Sequence, residues 1–220
     1  MQGKDFKPYI PADKIVPEFT WFSVILGALL AIIFGGANAY LGLRVGMTVS
    51  ASIPAAVIAM GVFKIALRRN SILESNIVQT IGSAGESVAA GAIFTLPALF
   101  LWAADDSTGI EKPGLLEITL IAAIGGLLGV FFMIPLRNAL IVKEHGTLPY
   151  PEGTACAEVL LAGEKGGARA STVFIGMGFA ALFKFVIDGL KLVSGTLSYK
   201  IEGLKTQVST QIYPALISVG

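Results

Sequence analysis

Long apolar stretches alternate with short polar ones along the chain, and five apolar blocks stand out, at roughly residues 19 to 43, 46 to 67, 72 to 102, 115 to 140 and 171 to 196. A helix rising about 1.5 Å per residue needs about 20 mostly apolar residues to cross a bilayer, and each block reaches that length. The pattern predicts an all-α, polytopic bundle of five transmembrane helices. A sixth opens near Ile212 and is cut at Gly220. Half a span would strand carbonyls in hydrocarbon, so the protein is expected to continue beyond residue 220. Residues 1–18 are polar and broken by prolines, with no apolar run of the kind a cleaved signal carries. They read as an N-terminal segment ahead of a transmembrane domain over 19–220.

Polar positions inside the blocks are few and patterned. In the third block Asn76, Gln79, Thr80, Ser83, Glu86 and Ser87 recur at helical spacing and predict one polar stripe. Glu86 falls near the middle of that span, where a carboxylate facing lipid would cost several kcal/mol, so it is expected to face protein or a watery cavity. Two roles fit it: a proton-coupling or substrate-binding carboxylate, or a structural hydrogen bond to a neighbouring helix. Gly35-Gly36 with Asn38, Pro54 and Pro97 are candidate kinks or unwound points in the first three blocks. Small residues around Glu86, among them Gly82 and Gly85, read as close helix packing.

Between the fourth and fifth blocks, Tyr150-Pro151-Glu152-Gly153-Thr154 leads into a helix-forming run through Glu158 that is too short to span. It reads as a re-entrant or interfacial helix, or as a solvated loop with a surface helix. In the first case its N-terminus offers free N–H groups to a carboxylate, and Glu152 and Glu158 offer a site for an amine or a metal chelate. In the fifth block Lys184, Asp188 and Lys191 are spaced to pair along one face. Trp21, Trp102, Tyr40 and Arg44 fit the interface, and His145 reads as a loop residue.

Composition narrows the classes. Apolar residues make up 54% of the chain and charged residues 14%, against about a quarter charged in soluble domains. A net charge of +1, with the cations confined to short clusters, gives no face for nucleic acid. Lys64, Arg68 and Arg69 after the second block, with Arg137, Lys143, Lys165 and Arg169 after the fourth, predict cytoplasmic loops and a cytoplasmic N-terminus. Lys200 and Lys205 run against that assignment. One cysteine, Cys156, and one histidine exclude an intrachain disulfide and any Cys/His zinc spacing. No phosphate-binding P-loop or catalytic motif occurs, so neither an enzyme nor a cofactor is expected.

Three stretches together resemble the oligopeptide transporter (OPT) family: Asn38 to Thr48, Asn76 to Thr80 with Gly82 to Ser87, and Tyr150 to Ala155. The likeness runs from about Phe19 onward, and it places Asn76, Gln79 and the segment Tyr150 to Thr154 in the family's signature regions. It implies a symporter using the proton as coupling ion and importing small peptides or, in the yellow stripe-like branch, metal complexes of peptide-like chelators. The plasma (inner) membrane is the expected site, and a homo-oligomer is left open. Family members are several times longer than this chain. A membrane structural or assembly subunit, in which the stripe only joins helices, and a channel are the rival readings.

Overall fold

The computed structural model describes residues 9–11, 13–69, 71–105, 107–144, 146–165, 168–194, 197–201, 208–212 and 214, which fall into two compact units divided after Glu164. In the first unit, helix α1 (Trp21–Val45) begins where the apolar block does. Thr20 and Ser23 form a reciprocal cap: the Thr20 hydroxyl accepts from the Ser23 N–H at 3.2 Å, and Ser23 Oγ accepts from the Thr20 N–H at 3.1 Å. It ends at Gly46, whose φ of +74° suits glycine and whose N–H donates to the Gly42 carbonyl at 2.8 Å. The helix runs unbroken through Gly35-Gly36, so that pair is not an unwound point.

Helix α3 (Ile72–Ala103) lies parallel to α1 along a seam of small residues. Gly27 faces Ile81, Ala31 faces Gly85 and Gly42 faces Ile93. A methyl group added at Gly85 would stand 2.4 Å from the Ala31 Cβ, far inside contact distance. Without side chains at these points the backbones come close enough for dense van der Waals packing, the main attraction available between helices in lipid. Pro97 is accommodated within α3.

The second apolar block departs from expectation. It forms no full-length spanning helix: residues 47–51 are non-helical, and α2 (Ser52–Gly61) is extended only by a π-helical turn, Val62–Ala66. Fifteen helical residues cover about 22 Å at 1.5 Å each, short of a hydrocarbon core of about 30 Å. The non-helical stretch supplies the rest of the path. Val49 lies beside Asn38, Ser52 meets Ser83, Ala55 packs on Gly82, and the Phe63 ring meets Phe22 edge-on with centroids 5.5 Å apart. The block therefore carries the chain back along α1 and α3 to the end where α1 began, with its opening residues 47–51 unwound. Pro54 does not interrupt this helix; it sits in the first turn, where no intrahelical bond needs its N–H. Leu30, Ala55, Ala59, Phe63 and Val78 form the small apolar core between α1, α2 and α3.

Helix α4 (Leu115–Arg137), prolonged by a π-helical turn to Lys143, has no buried residue, so lipid or further protein must cover it. Helix α5 (Pro151–Lys165) follows, with Pro151 at its first position, where a fixed φ favours helix initiation. Lys64 donates to the Gly163 carbonyl at 2.8 Å near its C-terminus, and Gly163 presses against Met60 of α2.

The second unit contains α6 (Ala168–Lys184), prolonged by a π-helical turn to Gly189, and an antiparallel pair, β1 (Leu197–Ile201) with β2 (Val208–Ile212), in register Leu197 opposite Ile212. Lys184 and Asp188 pair at 2.7 Å, as their spacing predicted. Strand β2 occupies residues where a sixth helix was expected to open, and positions 215–220 lie outside the described residues, as does His145. Four helical segments, Trp21–Val45, Ile72–Ala103, Leu115–Lys143 and Ser171–Gly189, are long and apolar enough to cross a membrane. The molecule is thus a helical membrane protein with four such segments among the described residues.

Candidate functional site

An unwound backbone at membrane depth needs partners for its N–H groups, and here side chains from both flanking helices supply them. Asn38 of α1 accepts from the Val49 N–H through Oδ1 at 2.9 Å, and its Nδ2 donates to Glu86 Oε1 at 2.9 Å. Glu86 Oε2 accepts from the Ala51 N–H at 3.3 Å. Asn38 is 4% and Glu86 6% exposed, so water does not satisfy these groups. Gly85, adjacent to Glu86, sets the close approach of α1 and α3 that brings Asn38 within reach.

The other side of the segment is held by a second carboxylate. Glu152, in the first turn of α5, accepts from Ser52 Oγ at 2.6 Å and from Ser50 Oγ. Ser52 also shares a hydrogen bond with Ser83 Oγ at 2.8 Å. Four consecutive residues, Val49 to Ser52, are therefore gripped through backbone by Asn38 and Glu86 and through hydroxyls by Glu152. Beside them opens a cavity of about 680 Å³ whose polar lining comes from Tyr9, Ser52, Asn76, Gln79, Glu152 and Cys156. At its rim Tyr9 donates to Glu164 Oε2 at 2.8 Å, a contact that raises the phenol above its usual range.

The expected polar stripe of α3 divides between two surroundings. Asn76 and Gln79 line the cavity and Ser83 and Glu86 join the network. Thr80 and Ser87 are exposed and turn their hydroxyls back to the carbonyls of Asn76 and Ser83, at 2.8 and 2.9 Å. In the segment 150–158, Glu152 reaches the network, whereas Tyr150 donates to the Leu140 carbonyl at 2.7 Å and Thr154 and Glu158 are exposed. Neither Thr154 nor Glu158 is brought to the cavity lining.

Ser50 and Ser52 escaped the sequence reading, although Gly46 as a helix stop and Ser-x-Ser-x-Pro as a helix start bracket the break. A second buried carboxylate escaped it as well. Glu74, at 0% exposure near the start of α3, accepts from the Thr20 hydroxyl at 2.5 Å and from Arg69 at 3.4 Å, while Oε2 has no hydrogen-bond partner among the described residues. No sequence signal set it apart: Glu74 stands at the edge of its apolar block, close to Arg68 and Arg69.

The sequence model for "OPT oligopeptide transporter protein" matches residues 18–220. A Haemophilus influenzae protein named "Putative oligopeptide transporter" is 41% identical over 168 residues, covering 74% of this chain and 25% of its own length. The Saccharomyces cerevisiae protein "Putative oligopeptide transporter YGL114W" is 27% identical over 167 residues, covering 69% of this chain and 23% of its own. The chain thus spans about a quarter of the length of the curated relatives it matches. No solved structure gives a significant match. With its long apolar helices and a family match over nearly all of its length, the chain is an integral membrane protein that belongs to the OPT oligopeptide transporter family, a family of transporters and not of enzymes.

Proposed function

We propose that the protein is a proton-coupled secondary transporter, importing oligopeptides or peptide-like metal chelates across the plasma (inner) membrane with its N-terminus in the cytoplasm. The observation that carries this reading is Glu86, a buried ionisable group whose two oxygens help hold an unwound crossing. As an anion the carboxylate accepts from both Asn38 and Ala51. A proton on either oxygen turns that oxygen into a donor facing a donor and weakens one of the two bonds. Proton occupancy is then linked to the conformation of residues 49–52, and the cavity beside them is the substrate's place. Discontinuous helices beside a mid-membrane site are a recurring device of secondary transporters.

Orientation follows the cluster Lys64, Arg68 and Arg69, at the end of the molecule where Thr20 meets Glu74. The test is uptake by the full-length protein in proteoliposomes. An inward proton gradient is expected to drive accumulation of labelled tripeptides, and an uncoupler to abolish it. Equal accumulation with and without the gradient would overturn proton coupling.

A further inference from the structure

We propose that Glu152 is the subsite for a cationic amino group on the transported molecule, so that a peptide binds with its free N-terminus against the Ser50–Ser52–Glu152 cluster. The proposal rests on the transporter reading and adds the orientation and chemistry of the cargo. Glu152 is the one charged group in the cavity lining among the described residues, and no Lys or Arg lines that cavity to neutralise it. Two hydroxyl donors, from Ser50 and Ser52, favour its ionised form. Both bonds go to Oε1, and the residue is exposed, so the carboxylate remains open to a cation.

The remaining lining fits the rest of a short peptide. Asn76 and Gln79 stand one helical turn apart on α3 and offer both donors and acceptors to peptide groups, while Ile72, Leu73, Leu160 and Leu161 present apolar wall to side chains. About 680 Å³ lies within the usual range for small-ligand sites, roughly 300 to 1,000 Å³. An ammonium ion at Glu152 Oε2 shares the carboxylate whose Oε1 holds the two serine hydroxyls. Cargo binding therefore meets the same segment, residues 49–52, that Asn38 and Glu86 hold from the other side.

The experiment compares a random tripeptide mixture with its N-acetylated counterpart, titrated against the full-length protein in nanodiscs and read by thermal shift. Wild-type protein is expected to bind the free-amine mixture at least 10-fold more tightly than the acetylated one. Glu152→Gln is expected to erase that difference by weakening the free-amine mixture, and a single cooperative melt of the ligand-free variant shows that it is folded. Equal binding of the two mixtures by wild-type protein overturns the subsite without any variant, as does discrimination retained in Glu152→Gln, and both results leave the peptide-transport reading standing. Binding of neither mixture overturns both.

Discussion

Asn38 and Glu86 meet between two parallel helices, 48 residues apart in the chain, with the amide Nδ2 donating to Oε1 at 2.9 Å and both side chains buried. Each also accepts from the backbone of residues that a continuous helix would have satisfied internally. Asn38→Ala is expected to strand the Val49 N–H and one oxygen of Glu86. An unpaired buried polar group costs about 1–3 kcal/mol, so thermal unfolding in detergent should shift down by several degrees. An unchanged midpoint would show that water takes the place of the amide.

Helix contact at Ala31 and Gly85 leaves no room for a methyl group, whereas Gly91, further along α3, has nothing within 4 Å of an added Cβ. Gly85→Ala should destabilise by about 1–3 kcal/mol through overpacking, and Gly91→Ala should be neutral or slightly stabilising, because alanine favours helix. Parallel melting curves distinguish the two. Similar midpoints would mean that α1 and α3 separate freely.

Thr20 serves two purposes, capping α1 and donating to Glu74. Thr20→Ser retains both hydroxyl contacts and is expected to melt like wild type. Thr20→Val loses the cap, worth about 1 kcal/mol, and leaves Glu74 with Arg69 as its hydrogen-bonding partner, so its loss should exceed that of capping alone. A Val variant as stable as the Ser variant would assign no weight to the buried contact.

The helices that sequence locates well are those whose evidence is local. The first apolar block at 19 to 43 became Trp21–Val45 and the third at 72 to 102 became Ile72–Ala103, because continuous apolar length and terminal signals such as Thr20 and Gly46 reside in the chain itself. Glu86 was visible for the same reason: a lone carboxylate in mid-span is conspicuous in one dimension. Its partners were not, since Asn38 and the Ala51 N–H reach it only after α1 and α3 pack along their glycines. Hydropathy averaged over 46–67 also hid the break, because Met47, Val49 and Ala51 remain apolar while leaving the helix. Thr80 and Ser87 belonged to the stripe by spacing, yet neither reaches the network, because a hydroxyl can bond to its own helix four residues back.

Residue 69 lies at the end of the bundle where Thr20 meets Glu74, and Ser107 follows the opposite end of α3. With Cys156 replaced, a cysteine at Arg69 should resist an impermeant thiol reagent applied from outside intact cells, and one at Ser107 should react. The reverse labelling would invert the proposed orientation while leaving the fold intact.

Coupling through Glu86 is the central claim, and Glu86→Gln tests it most directly in the full-length protein, because the amide keeps the size and an acceptor oxygen but cannot ionise. Uptake of labelled tripeptide into proteoliposomes should be measured against pH, alongside exchange of external for internal peptide without a gradient. The account predicts that the Gln variant loses gradient-driven accumulation and its pH dependence while exchange is at least partly retained. Accumulation with an unchanged pH profile would contradict it and leave Glu86 as a structural clasp for the unwound segment.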